Sequence, residues 1–247
     1  MKKISYTIDV EKDLHSESHT GITSGLKRFE EICNKNKVKP ILFVTGKIFE
    51  KNAAFFKQLH KKKWEISCHG YSHKRFDDMS FKEKEDELKK CVSIWKKHLG
   101  SAPKGFRAPQ HSIDTETLDL LEKYHFEYDS SYTPLNFLQL LFFPKRFTHW
   151  ARTSFSPLNA YQIRPQLKEK PASALFMPFV SLTIRVLPRS LLRFYVWLLK
   201  LFYKEPIFYA HSWDFIELPK SRIDRTFPHT KFIKKLNYIM SLENENP

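Results

Sequence analysis

The sequence predicts an α/β fold built on a parallel sheet, and three observations carry that prediction. Short β-branched and aromatic runs alternate with longer segments of helical apolar spacing. The 247 residues are 41% hydrophobic, enough to bury one sizeable core, and no repeat or linker divides them. Asp9, His69, Arg107, Asp129 and His211 all fall at or just past the C-terminal ends of predicted strands. In a barrel of parallel strands, that end is where side chains converge on an active site.

Taken in order, Ile4–Ile8 is expected as a strand ending in Asp9, and Ile22–Asn36 as a helix packed through Leu26, Phe29 and Cys33. Pro40 introduces the apolar strand Ile41–Thr45. A helix over Asn52–Lys62 and a strand over Trp64–Cys68 follow. Phe81–His98 is a charged amphipathic helix with Leu88, Cys91, Val92 and Trp95 on one face. Gly105–Ala108 forms a short strand, and Asp114 caps a helix reaching Tyr124. Phe126–Tyr128 is a strand ending in Asp129, and Ile207–Ala210 one ending in His211.

Composition narrows the function classes. Six glycines are too few for a collagen-like chain or a Gly-rich linker protein. The three cysteines, Cys33, Cys68 and Cys91, form no CxxC pair, so reduced thiols are expected. Met1-Lys2-Lys3 is followed by a short, broken apolar stretch rather than a signal peptide. A cytoplasmic protein is the expectation.

The net charge of +15 is uneven. Between Ser130 and Lys204, eleven bases face a single acid, Glu169. The same stretch carries the apolar runs Phe137–Phe143 and Leu191–Tyr203. The second run is too short, and too interrupted by Arg193 and Lys200, to span a bilayer. Two readings stand: a core helix whose cations reach water, and an interfacial helix drawn to an anionic membrane surface. No nucleic-acid-binding module is recognised, and no nucleic-acid partner is expected.

His69 and His73 stand four residues apart, a spacing that brings two imidazoles to one side of a helical turn. His15 and His19 share the spacing but sit in a polar loop. Asp9, Glu11 and Asp13 alternate at the end of the first strand, so Asp9 and Glu11 face one side. Two histidines and one carboxylate, with positions left open, suit a catalytic divalent ion, zinc first among them.

Five short motifs, in order, resemble the polysaccharide deacetylases of carbohydrate esterase family four. They are Thr7-Ile-Asp-Val-Glu11, His69-Gly-Tyr-Ser-His73, Phe106-Arg-Ala-Pro109, Tyr128-Asp-Ser-Ser131 and His211-Ser-Trp-Asp214, with Pro40–Gly46 matching the second strand. The resemblance implies a single-domain, distorted (β/α)7 barrel over residues 1–247. The loosely matching, basic and apolar segment 134–204 would lie near the barrel mouth.

The resemblance also implies roles. His69 and His73 would bind the metal with Glu11, since Val10 stands where the commonest pattern has a second aspartate. Asp9 would be the general base, Arg107 its partner, His211 the general acid, and Asp129 the carboxylate orienting His211. Trp213 would wall the acyl pocket, and Pro109 and Tyr71 fall in the motifs that face substrate. Ser212 replaces the usual proline of the last motif. The implied reaction is metal-dependent N-deacetylation of an amino-sugar glycoconjugate or polysaccharide precursor; the expected cytoplasmic location and the basic, apolar segment 134–204 favour a lipid-linked precursor at the inner membrane face. Two alternatives stand beside it: a metal-independent amidohydrolase on the same barrel, and a catalytically silent glycan- or membrane-binding barrel.

Overall fold

The computed structural model describes residues 2–14, 16, 18–136, 151, 153–218 and 221–244. The run Phe137–Phe143 and the decoy His15 therefore lie outside the described residues. Ten strands are present among them: β1 (Ser5–Val10), β2 (Ile41–Val44), β3 (Glu65–Cys68), β4 (Gly105–Phe106), β5 (Tyr128–Asp129), β6 (Tyr161–Arg164), β7 (Leu167–Glu169), β8 (Ala174–Leu175), β9 (Met177–Pro178) and β10 (Ile207–His211).

Eight of them form one curled sheet in the order β10-β1-β2-β3-β4-β5-β7-β6. Every pair from β10 to β7 is parallel, and only β6 runs antiparallel, on β7. Seven parallel strands thus build the expected distorted barrel. Near the remaining gap, the Ser173 N–H donates to the Ile207 carbonyl at 3.1 Å, and the Ile207 N–H donates to Ser173 Oγ at 2.8 Å. β8 and β9 form a separate hairpin.

The helices follow from local sequence. α1 is Leu26–Asn36, α2 Gly46–Lys51, α3 Ala53–Lys61, α4 Phe81–Leu99 and α5 Thr115–Lys123. Ser80 and Glu83 make a reciprocal capping box at the start of α4, and Gly100 ends it in the left-handed region at φ 83°. Asp114 caps α5 as expected, accepting from the Thr117 N–H at 2.9 Å. The helix expected over Asn52–Lys62 begins earlier and is broken at Asn52 into α2 and α3. The one expected from Ile22 opens as a single π-type turn, Gly21–Gly25. The turn presses on the last motif: a Cβ at Gly25 would lie 2.3 Å from the Ser212 carbonyl oxygen.

Helices Ser181–Val186, Arg189–Phe202 and His229–Asn244 complete the wall late in the chain. One continuous core runs from Ile4 to Met240, with Trp64, Trp95, Tyr6 and Phe29 among its largest buried side chains. The cysteines are free and buried. Among the described residues, no helix is long and apolar enough to cross a membrane.

Candidate active site

The strand registers bring the polar strand ends together. Asp9 on β1 lies beside His211 on β10, and Cys68, just before His69, lies beside Phe106, just before Arg107. Asp9 Oδ1 accepts from Arg107 Nη1 at 2.8 Å, with both side chains buried. Thr7 Oγ1, Ser130 O and Ser130 Oγ take the remaining guanidinium bonds, so Arg107 is fixed on three sides. Burial alone would raise the Asp9 pKa, but Arg107, backed by His69 and His211, outweighs it and holds the carboxylate ionised.

Glu11, His69 and His73 each present one ligand atom, all within 4.8 Å of one another. Glu11 is the first residue past β1, where the side-chain alternation of the strand keeps it on the face of Asp9. His69 and His73 meet differently from the helical turn that their spacing suggests. Residues 69–73 form an irregular bend, with Gly70 at φ 70° and His73 at φ 63°, both left-handed. Glu87 of α4 secures the bend by accepting from the Tyr71 and Ser72 N–H groups, each at 2.8 Å.

The donor set fits a divalent cation. His69 Nδ1 donates to the Arg107 carbonyl at 2.8 Å, which leaves a lone pair on Nε2. That lone pair faces Asp9 Oδ2 and Glu11 Oε2, each 4.0 Å away and too far to hydrogen-bond. Burial lowers the His69 pKa to about 4, so the ring is neutral at neutral pH. His73 Nε2 contacts Glu11 Oε2 directly. Two carboxylates and the neutral Nε2 of His69 gathered beside His73 are an electron-rich cluster that a cation would balance. Glu11 is itself positioned: its Oε1 accepts from Trp213 Nε1 at 3.0 Å.

His211 closes the opposite side. Its ring stacks on Trp213 at 4.3 Å with a 10° tilt, and its Nε2 lies 4.0 Å from Glu11 Oε1. Burial would lower its pKa, but Asp214, Glu11 and Asp9 outweigh that and raise it to about 9. Here the expected partner is corrected. The carboxylate facing His211 Nδ1 is Asp214, whose Oδ2 is 3.5 Å away and also accepts from the His211 N–H at 2.9 Å. Asp129 sits on β5, which is not a neighbour of β10, and its carboxylate accepts from Ser131 Oγ at 2.7 Å. Its acidic companion is Glu169 on β7. Burial and then repulsion from Asp129 push Glu169 well above the usual carboxylate range.

The other expected site residues divide. Tyr71 is half-buried and shares a basic cleft with His73, Lys47 and Lys51. Pro109 is buried against Gly70, so it supports the His69–His73 bend instead of facing a substrate. Trp213 lines a largely apolar pocket with His211, Tyr209 and Leu182, and it also holds Glu11.

Two contributors escaped the sequence reading. Arg185 is buried, donates to Asp214 at 3.2 Å and Asp224 at 2.7 Å, and so fixes the carboxylate behind His211. His111 is buried beside Tyr209, with its Nδ1 2.8 Å from the Ser131 carbonyl. Burial and Arg107 lower the His111 pKa to about 4. Its place in Arg107-Ala-Pro-Gln-His111, directly after a motif, was the available signal. Arg185 had none, since it lies in the stretch that matched loosely.

The family model for polysaccharide deacetylase matches residues 2–128, a span that holds Asp9, Glu11, His69, His73 and Arg107. The chain belongs to the polysaccharide deacetylase family. Among curated proteins, it is 33% identical over 107 residues to a peptidoglycan deacetylase of Helicobacter pylori, covering 43% of this chain and 36% of that protein. It is 40% identical over 67 residues to a peptidoglycan deacetylase-like protein of Gibberella zeae, covering 27% of this chain and 20% of that one. The chain thus spans about a third or less of the length of these relatives. A solved Mycobacterium smegmatis structure assigned to polysaccharide deacetylases superposes with a TM-score of 0.65 at 15% identity. That match covers 97% of this chain and 85% of the other, and at such identity it speaks to the shared fold.

Proposed function

We propose that this chain is a metal-dependent hydrolase that removes the N-acetyl group from an amino-sugar glycoconjugate. The observation that carries the reading is the convergence of Glu11, His69 and His73 within 4.8 Å, between an ionised Asp9 and a cationic His211. Both curated relatives are named for peptidoglycan, which is built on N-acetylated amino sugars.

The chemistry divides among the residues. A divalent ion held by Glu11, His69 and His73, zinc by the nature of the donors, would polarise the amide carbonyl and acidify a water. Asp9 accepts the proton of the attacking water through Oδ2, because Oδ1 is tied to Arg107. The new C–O bond forms as the carbonyl π pair moves onto its oxygen, and the C–N bond breaks when that pair returns to restore the carbonyl. His211, held protonated, gives its proton to the departing nitrogen, which leaves as the amine of the sugar. The products are acetate and a free amino sugar. The rings of His73 and His211 are each about a quarter exposed, so the cleft opens to solvent between them.

Elemental analysis of untagged protein tests the metal step. About one divalent ion per chain is expected, and its loss from a His69→Ala/His73→Ala variant. Acetate release from N-acetylated amino-sugar substrates tests the reaction. An ion-free protein that still releases acetate would support a metal-independent amidohydrolase, and one that releases none would support a silent barrel. The position of Trp213 gives a finer check. Trp213→Phe keeps the ring that stacks on His211 but removes the N–H held by Glu11. Metal affinity, measured by competition with a chelator, is expected to fall about 10–100-fold. Unchanged affinity would remove Trp213 from that supporting role.

A further inference from the structure

The helix Arg189–Phe202 is apolar on both sides. Leu192, Tyr195, Val196 and Leu199 face the core. Leu191, Phe194, Trp197, Leu201 and Phe202 face solvent, with Phe194 56% and Trp197 57% exposed. Phe194 and Trp197 stack on each other out there, ring centroids 5.7 Å apart. Large aromatics on an open surface are unfavourable in water and mark a surface that meets something.

The charges indicate what it meets. Arg189 and Arg193, four residues apart and both exposed, stand along one edge of the apolar face, and Lys200 further along that edge pairs with Glu243 at 3.1 Å. From Lys170 to Lys204 the sequence holds no acid at all. A second copy docked face to face would bring two such cationic edges together, which opposes a dimer. Fourteen residues give about 21 Å of helix, too short to span a bilayer and long enough to lie along one. Aromatic and aliphatic side chains on one face with cations at its edge are the pattern of a helix seated at the headgroup level of an anionic bilayer.

The surface continues toward the candidate site. Leu182 and Val186, one turn apart on the helix Ser181–Val186, are also exposed, and Leu182 lines the pocket that holds His211 and Trp213. Tyr195 donates to the Met177 carbonyl, fixing beside the long helix the hairpin whose tip, Phe176, is 81% exposed.

We propose that the exposed face of Arg189–Phe202, with Leu182, Val186 and Phe176, docks this protein on an anionic lipid surface. If the catalytic reading also holds, on which this clause rests, the substrate sugar is one carried on a lipid.

Flotation of the full chain with phosphatidylcholine vesicles, with and without about a third phosphatidylglycerol, tests the docking without needing activity. Recovery with anionic vesicles is expected, at least tenfold above neutral ones. Arg189→Gln/Arg193→Gln is expected to weaken anionic binding about tenfold or more. Phe194→Ser/Trp197→Ser is expected to abolish it. All these side chains are exposed, so circular dichroism should report an intact fold and elemental analysis an unchanged metal content. Equal recovery from both vesicles would overturn the proposal, as would binding that survives the serine variant. So would a solution dimer, seen by sedimentation equilibrium, that the serine variant dissociates while vesicles recover nothing. Failure here leaves metal content and acetate release untouched, so the two proposals fail separately.

Discussion

Asp9→Asn is expected to lower turnover about 1000-fold while the protein stays folded and keeps its metal. The substitution is isosteric and removes the group's negative charge and with it the ability to take a proton. Arg107 keeps its bonds to Thr7 and Ser130, and the new amide still offers a carbonyl oxygen to Nη1, so the strand ends stay in register. The cost is a buried guanidinium facing a neutral amide, about 1–3 kcal/mol of stability, readable as a lower melting temperature. Glu11, His69 and His73 do not depend on the Asp9 charge for their positions, so elemental analysis should still find the ion. Steady-state acetate release beside metal content separates the outcomes. Turnover within a few-fold of the parent would take Asp9 out of the base role. Loss of the ion together with turnover would make Asp9 a ligand instead.

The first half of the fold was legible because its signals are local. Each strand from Ser5 to Phe106 is a short apolar run followed by a helical segment, and periodicity alone finds such units. Asp9, His69, Arg107 and His211 could be placed because parallel strands carry their last residues to one end. The pair β6 and β7 and the hairpin β8–β9 were missed. Their strands are two to four residues long and pair in a register set by their neighbours, not by their own pattern. The bend at His69–His73 escaped for a related reason. Four-residue spacing is the same in a helix and in a left-handed bend, and only Gly70 hinted at the second. Asp129 was paired with His211 by the resemblance of its motif, and the order of motifs along a chain does not tell which neighbour a carboxylate touches. The sheet order puts it beside Glu169, across from the strand that carries His211.

The pairing of His211 with Asp214 has a kinetic consequence large enough to measure. Asp214→Asn is expected to lower turnover about 100-fold and to move the alkaline limb of the pH–rate profile to lower pH. The sign follows from the charges. His211 must be protonated to donate, and its pKa stands near 9 because Asp214, then Glu11 and Asp9, outweigh burial. A bound cation cancels part of the Glu11 contribution, which leaves Asp214 as the main group keeping the imidazole charged. Removing that charge lowers the pKa, so the cationic form disappears at a lower pH and activity goes with it. Asp214 is a positioning residue in this account, and Arg185 fixes it from behind. Arg185 keeps Asp224 and the Phe227 carbonyl when Asp214 is neutral, so the wall of the pocket survives. Asp129→Asn is the matched control. It relieves the repulsion on Glu169, keeps an oxygen for the Ser131 Oγ bond, and is expected to leave the alkaline limb where it was. The reverse result, a limb moved by Asp129→Asn and unmoved by Asp214→Asn, would restore the partner that motif order suggests and reject the one the geometry assigns.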